Sequence, residues 1–72
     1  MSKIRMTLDL VPQLHEKLTY VTEVTGATSK AEALRKALLI YEFIIQRLKN
    51  GDDFLIVSKD GETKSLEFPG VI

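Results

Sequence analysis

The 72-residue sequence predicts a mostly α-helical domain with short β elements near both ends. Three observations support this fold class. Residues 3–10 alternate between polar and apolar side chains, and two long segments place apolar residues at helical spacing. A turn-forming Asp60-Gly61 pair separates two short β-prone stretches near the C-terminus. A chain of this length is expected to form one compact domain at most.

The first element is the alternating segment over residues 3–10. The apolar side chains Ile4, Met6, Leu8 and Leu10 fall on one face of an extended chain, and Lys3, Arg5, Thr7 and Asp9 fall on the other. A period of two is typical of a half-buried β-strand, because successive side chains point to opposite faces. We therefore predict a strand with an apolar inner face and a polar outer face.

Two helices are expected next. Pro12 suits the first turn of a helix and Gly26 suits its end, so the first helix should cover about residues 12–25. Ser29 followed by Glu32 fits a capping box, which predicts that a second helix begins there and ends before Gly51. The apolar face of this second helix is too broad for one short helix to cover. A second copy of the chain would cover the remainder.

The C-terminal region has a different character. Residues 54–58 and 63–68 flank the Asp60-Gly61 turn and predict a β-hairpin. Residues 1–51 carry eight basic and five acidic side chains, whereas residues 52–72 carry two basic and five acidic ones. The sequence therefore predicts a mildly basic domain over residues 1–51 and an acidic hairpin extension over residues 52–72.

Composition argues against several classes of function. The chain has no cysteine and one histidine, His15, so neither a disulfide nor a zinc site of the usual kind is expected. No set of side chains forms a catalytic constellation, and we expect neither enzymatic activity nor a cofactor. No apolar run approaches the roughly 20 residues of a membrane helix, and no secretion signal is visible. We expect a cytoplasmic protein without a membrane partner.

The first strand has no obvious neighbour in the sequence. It could pair with the C-terminal hairpin or with the same strand of a second copy. The second arrangement also accounts for the broad helical face, and it predicts an intermolecular antiparallel β-ribbon resting on four helices. A two-stranded ribbon fits the major groove of DNA, where Lys3, Arg5 and Thr7 would contact base edges. Free amides after Ser29, at Lys30 and Ala31, would hold a phosphate at the start of the second helix.

The order of these elements resembles the ribbon-helix-helix family of MetJ and Arc type, including the CopG-like repressors. The resemblance covers residues 3–49. Its matching segments are residues 3–8, the pair Leu14 and Leu18, the Thr25-Gly26 pair, and residues 29–38. It implies a dimer in which Lys3, Arg5 and Thr7 contact bases and Ser29 anchors phosphate. The sequence departs from the family at Val11, where many members have an acidic or hydroxyl cap.

The sequence thus predicts a sequence-specific DNA-binding transcriptional regulator, a repressor, that acts as a homodimer on double-stranded DNA. Two alternatives stay open. One is an antitoxin-type DNA-binding protein whose residues 52–72 bind a toxin. The other is a dimeric protein-interaction module without DNA binding, in which the acidic hairpin adds to the sheet of a protein partner.

Overall fold

The computed structural model of the protein describes residues 2–71. Helix α1 spans Pro12–Thr25, helix α2 spans Lys30–Lys49, strand β1 spans Phe54–Val57 and strand β2 spans Thr63–Leu66. The two strands pair in antiparallel fashion, with Phe54 opposite Leu66 and Val57 opposite Thr63. The prediction of two helices and a C-terminal hairpin is confirmed, and both strands end slightly earlier than predicted.

The predicted fold class is wrong in its first element and in the assembly built on it. Residues 2–11 form neither strand nor helix, and the sheet found in residues 2–71 consists of β1 and β2. The helices precede both strands, so the intermolecular ribbon on four helices is not the architecture observed. The physical reason is that an extended segment becomes a strand only when its backbone bonds to a neighbouring strand. No backbone hydrogen bond to residues 3–10 occurs in the described part of the chain.

Helix α1 begins without a side-chain cap. Val11 occupies the cap position, and its carbonyl accepts hydrogen bonds from the N–H groups of Leu14 and His15, both at 3.0 Å. The helix ends at Gly26, whose φ of 70° places it in the left-handed region that favours glycine. The next N–H, that of Ala27, donates to the Thr22 carbonyl at 3.1 Å and closes the helix end. The predicted bounds of this helix are confirmed.

Helix α2 has twenty residues and ends in a network around Arg47. The N–H of Asp52 donates to the Arg47 carbonyl at 3.0 Å, and the Asp52 carboxylate lies 3.4 Å from the Arg47 guanidinium. The same guanidinium stacks over the Phe43 ring, with 5.6 Å between its carbon and the ring centroid. Charged residues interrupt both helices, and neither helix in residues 2–71 is long and apolar enough to cross a membrane.

The hairpin is closed by a hydrogen-bonded turn over residues 58–62. The N–H of Gly61 donates to the Ser58 carbonyl at 3.0 Å, and the N–H of Ser58 donates to the Glu62 carbonyl at 2.7 Å. Gly61 has a φ of 92°, which explains the glycine at this position. The Ser58 hydroxyl also donates to Asp60 Oδ1 at 2.6 Å, and this bond lowers the pKa of Asp60. The predicted turn at Asp60-Gly61 is confirmed.

The chain divides into two compact units, and the boundary between Lys36 and Ala37 falls inside α2. In the first unit, Ala33 is buried at 4% exposure, and Leu10 and Leu18 are half-buried. In the second unit, the rings of Phe54 and Phe68 meet edge to face with their centroids 5.5 Å apart. Most large apolar side chains of the described residues are exposed. The predicted functional division after residue 51 stays a prediction.

Candidate nucleic-acid interface

The predicted base-contacting side chains lie on the segment that precedes α1. Lys3, Arg5 and Thr7 are all exposed, and the backbone that carries them has no regular secondary structure. Neither Lys3 nor Arg5 forms an ion pair with a carboxylate of residues 2–71, whereas Lys36 and Arg47 do. The segment therefore presents two positive charges and a hydroxyl to solvent.

The apolar residues of the same segment are not buried as predicted. Ile4 is 92% exposed, Met6 is 82% exposed and Leu8 is 55% exposed, while Leu10 is half-buried next to the start of α1. The prediction of a half-buried face is therefore wrong for Ile4, Met6 and Leu8. Exposure falls along the segment towards the start of α1. Within the described residues, no other part of the chain buries the side chains of Ile4 and Met6.

The start of α2 is capped by Ser29. Its Oγ accepts a hydrogen bond from the N–H of Glu32 at 3.0 Å, and its carbonyl accepts the N–H of Ala33 at 3.1 Å. The predicted cap is confirmed. The N–H groups of Lys30 and Ala31 have no acceptor within residues 2–71, since the first helical bond ends at Ala33. The hydroxyl hydrogen of Ser29 is also available, because the side chain uses its oxygen for the cap.

Glu32 behaves differently from the glutamate of a full capping box. Its carboxylate accepts a hydrogen bond from the Thr28 hydroxyl and forms an ion pair with Lys36 at 2.9 Å, instead of bonding to the N–H of Ser29. The bonds from Thr28 and Lys36 lower the pKa of Glu32 from its usual value of 4.5 to about 2. A carboxylate at this place offsets part of the positive end of the helix.

Sequence reasoning missed Thr28 and Lys36 as neighbours of the candidate phosphate site. The spacing contained the necessary information, because residues four apart on a helix face each other and Glu32 lies four before Lys36. The alternating segment and the start of α2 both belong to the first unit. No hydrogen bond or ion pair joins these two groups in the described residues.

The chemistry of both groups is that of hydrogen-bond donors. Arginine, lysine, hydroxyl and free backbone N–H groups match the acceptors that DNA offers, which are phosphate oxygens and the O6 and N7 atoms of guanine. An exposed segment carrying arginine can enter a groove, and a helix N-terminus can meet a phosphate. These are the two kinds of contact that a small DNA-binding domain combines.

Comparisons of the chain with models of known protein families, with curated proteins and with solved structures found no match. The resemblance of residues 3–49 to ribbon-helix-helix proteins stays a prediction.

Proposed function

We propose that this chain is a sequence-specific DNA-binding transcriptional regulator that acts as a repressor. Lys3, Arg5 and Thr7 contact base edges in the major groove. Ser29, Lys30 and Ala31 contact a phosphate. The contacts come from an exposed N-terminal segment and from the first turn of α2.

The observation that carries the proposal is the placement of Lys3 and Arg5. Both lie on an exposed segment without regular secondary structure, and neither is paired with a carboxylate of residues 2–71. An unpaired arginine reaches a groove without first breaking an ion pair. Thr7 on the same side of the alternation supplies a hydroxyl that can bond a base or touch a thymine methyl group.

The start of α2 supports the second type of contact. The N–H groups of Lys30 and Ala31 and the hydroxyl of Ser29 offer three donors within one helical turn. The Lys30 side chain adds a positive charge, while the Lys36 ion pair limits the repulsion that the Glu32 carboxylate would exert on a phosphate. Phosphate contacts fix the position of a protein on DNA, and base contacts give its specificity.

A homodimer is part of the proposal. The first unit has a single buried apolar side chain in its described residues, Ala33, and a domain this small gains little from its own core. Large side chains of α2, such as Leu38, Leu39 and Phe43, are more than half exposed. A second copy removes such surface from water and doubles the number of base contacts on a palindromic site.

The proposal is tested by titrating the protein against the DNA that lies upstream of its own gene. Arg5→Ala should weaken specific binding by about 1–3 kcal/mol, because one base contact is lost. Arg5 is exposed and unpaired within residues 2–71. The Arg5→Ala protein should therefore keep the circular dichroism spectrum and the melting temperature of the wild-type protein. Fluorescence anisotropy at low ionic strength measures the affinity.

Lys17→Ala is the matched control, because it removes one exposed positive charge from α1 and leaves the proposed interface intact. It should weaken binding less than Arg5→Ala does. Equal losses for the two variants would show that net charge alone drives binding. Absence of any salt-dependent binding by the wild-type protein would refute the proposal.

A further inference from the structure

Two segments of this chain have backbone groups that are free to pair with a further strand. Residues 3–10 alternate with a period of two, and no hydrogen bond joins their backbone to the rest of residues 2–71. Strand β1 pairs on one side with β2, and its other edge is open in the two-stranded sheet. The unpaired backbone N–H and C=O groups of each segment could therefore bond to those of the other.

The open edge of β1 is also unprotected. Edge strands usually carry a charged residue, a proline or a bulge that discourages pairing with another strand. All four residues of β1 are apolar, and Leu55 and Val57, which share one face, are 63% and 67% exposed. Apart from its length of four residues, β1 has no charged residue or proline that would discourage another strand from pairing with its edge.

Charge complementarity identifies the strand that it receives. The hairpin extension carries an excess of acidic side chains, Asp53 directly precedes β1, and Asp52 before it forms an ion pair with Arg47. Residues 3–10 carry two positive side chains near their start, Lys3 and Arg5, and one negative side chain near their end, Asp9, and all three are exposed. Parallel pairing with β1 places Lys3 at the same end as Asp53 and keeps Asp9 at the opposite end, away from Asp53.

We propose that the N-terminal segment of one copy of this chain, residues 3–10, adds as a third strand to the open edge of β1 in a second copy. The apolar residues Ile4, Met6 and Leu8 then join one face of the enlarged sheet. Two such exchanges between the same two copies form a closed dimer. The exchange does not require DNA. It places Lys3, Arg5 and Thr7, the proposed base-contacting residues, beside β1 of the second copy.

The test uses single-cysteine variants of the full chain, which has no cysteine of its own. Met6→Cys protein is mixed with isotope-labelled Ile56→Cys protein and treated with a thiol cross-linker about 8 Å long. This length still joins the two cysteines when the register of the paired strands differs by two residues, at about 3.3 Å per residue. Mass spectrometry measures the mixed dimer. Its yield should be several times that of a Gln13→Cys and Ile56→Cys mixture, since Gln13 lies exposed on α1.

Charge reversal provides the second readout. Lys3→Glu with Arg5→Glu, introduced into the Met6→Cys protein, should lower the mixed cross-link about tenfold, because the attraction of the segment to the acidic hairpin extension becomes a repulsion. Lys17→Glu with Arg35→Glu makes the same change in net charge elsewhere and should have little effect.

Three results would overturn the inference. The first is a mixed cross-link no stronger than that of the Gln13→Cys control. The second is a cross-link that both charge reversals lower equally. The third is a dilute double variant, Met6→Cys with Ile56→Cys, that cross-links efficiently within single chains. DNA titration of the same wild-type protein reports separately on the proposed function.

Discussion

The N-terminal segment and the C-terminal hairpin contain similar β-prone patterns, but only the hairpin forms strands. Residues 3–10 have the longer and more regular alternation, yet they form no secondary structure. Residues 54–66 contain two shorter runs separated by the Ser58–Glu62 turn, and they pair over four residues each. The difference is the turn, which brings a partner strand alongside at small entropic cost. An alternating pattern predicts which side chains share one face of a strand. A turn also predicts which strand it pairs with.

The largest expected effect comes from removing the turn that distinguishes the hairpin. Gly61→Val should destabilise the paired state by about 1–2 kcal/mol, because a residue with a Cβ is strained at positive φ. The Cβ itself would meet nothing within 4 Å, so the cost comes from the backbone and not from a clash. A two-stranded hairpin is marginal in water, and the loss should largely open it. Cross-strand nuclear Overhauser effects between Leu55 and Ser65 measure the pairing.

Lys59→Ala is the control for this variant, because Lys59 lies in the same turn without a positive φ. It should keep the cross-strand signals. If Gly61→Val kept them too, local closure would not explain why the hairpin pairs and the N-terminal segment does not.

A smaller effect is expected at the start of α2, where local contacts again determine the structure. The pKa of Glu32 is lowered to about 2, first by the hydrogen bond from Thr28. A lowered pKa means that the ionised carboxylate stabilises the folded state above pH 4.5, and this contribution is lost as the pH falls towards 2. Thr28→Val should raise the pKa of Glu32, as followed by carbon NMR of its carboxyl group.

Thr25→Val is the matched control, because the Thr25 hydroxyl donates to the Val21 carbonyl at 2.7 Å and not to Glu32. It should leave the titration of Glu32 unchanged. A Glu32 pKa near 4.5 in the wild-type protein would show that the contacts at the helix start do not persist in solution.

The smallest effect is expected for the apolar face of the N-terminal segment. Met6→Ser should change the free energy of unfolding of the dilute chain by less than about 0.5 kcal/mol, because Met6 is 82% exposed and loses no burial. Ile56→Ser should cost more, since Ile56 occupies a paired strand. Urea titrations at low protein concentration compare the two variants. Equal costs would mean that Met6 is buried in solution even in the single chain.

These differences explain which parts of the structure were predictable. The bounds of α1, the cap at Ser29 and the turn at Asp60-Gly61 were read correctly, since each depends on residues within a few positions of one another. The strand over residues 3–10 was read incorrectly, because the pattern contains no information about whether a partner strand is present. The direction of the Glu32 side chain was also missed, since Thr28 and Lys36 compete with the N–H of Ser29 for the same carboxylate.

The central claim is that the N-terminal segment gives DNA-sequence preference and the start of α2 gives phosphate contact. Competition titrations over a range of salt concentrations, with the chain's own upstream DNA against random DNA of equal length, test it most directly. The wild-type protein should prefer its own DNA, and Lys3→Ala with Arg5→Ala should remove the preference. Lys30→Ala should weaken binding to both DNAs alike and reduce the salt slope by about 1. Equal affinity of the wild-type protein for both DNAs, or no binding at low salt, would contradict the claim.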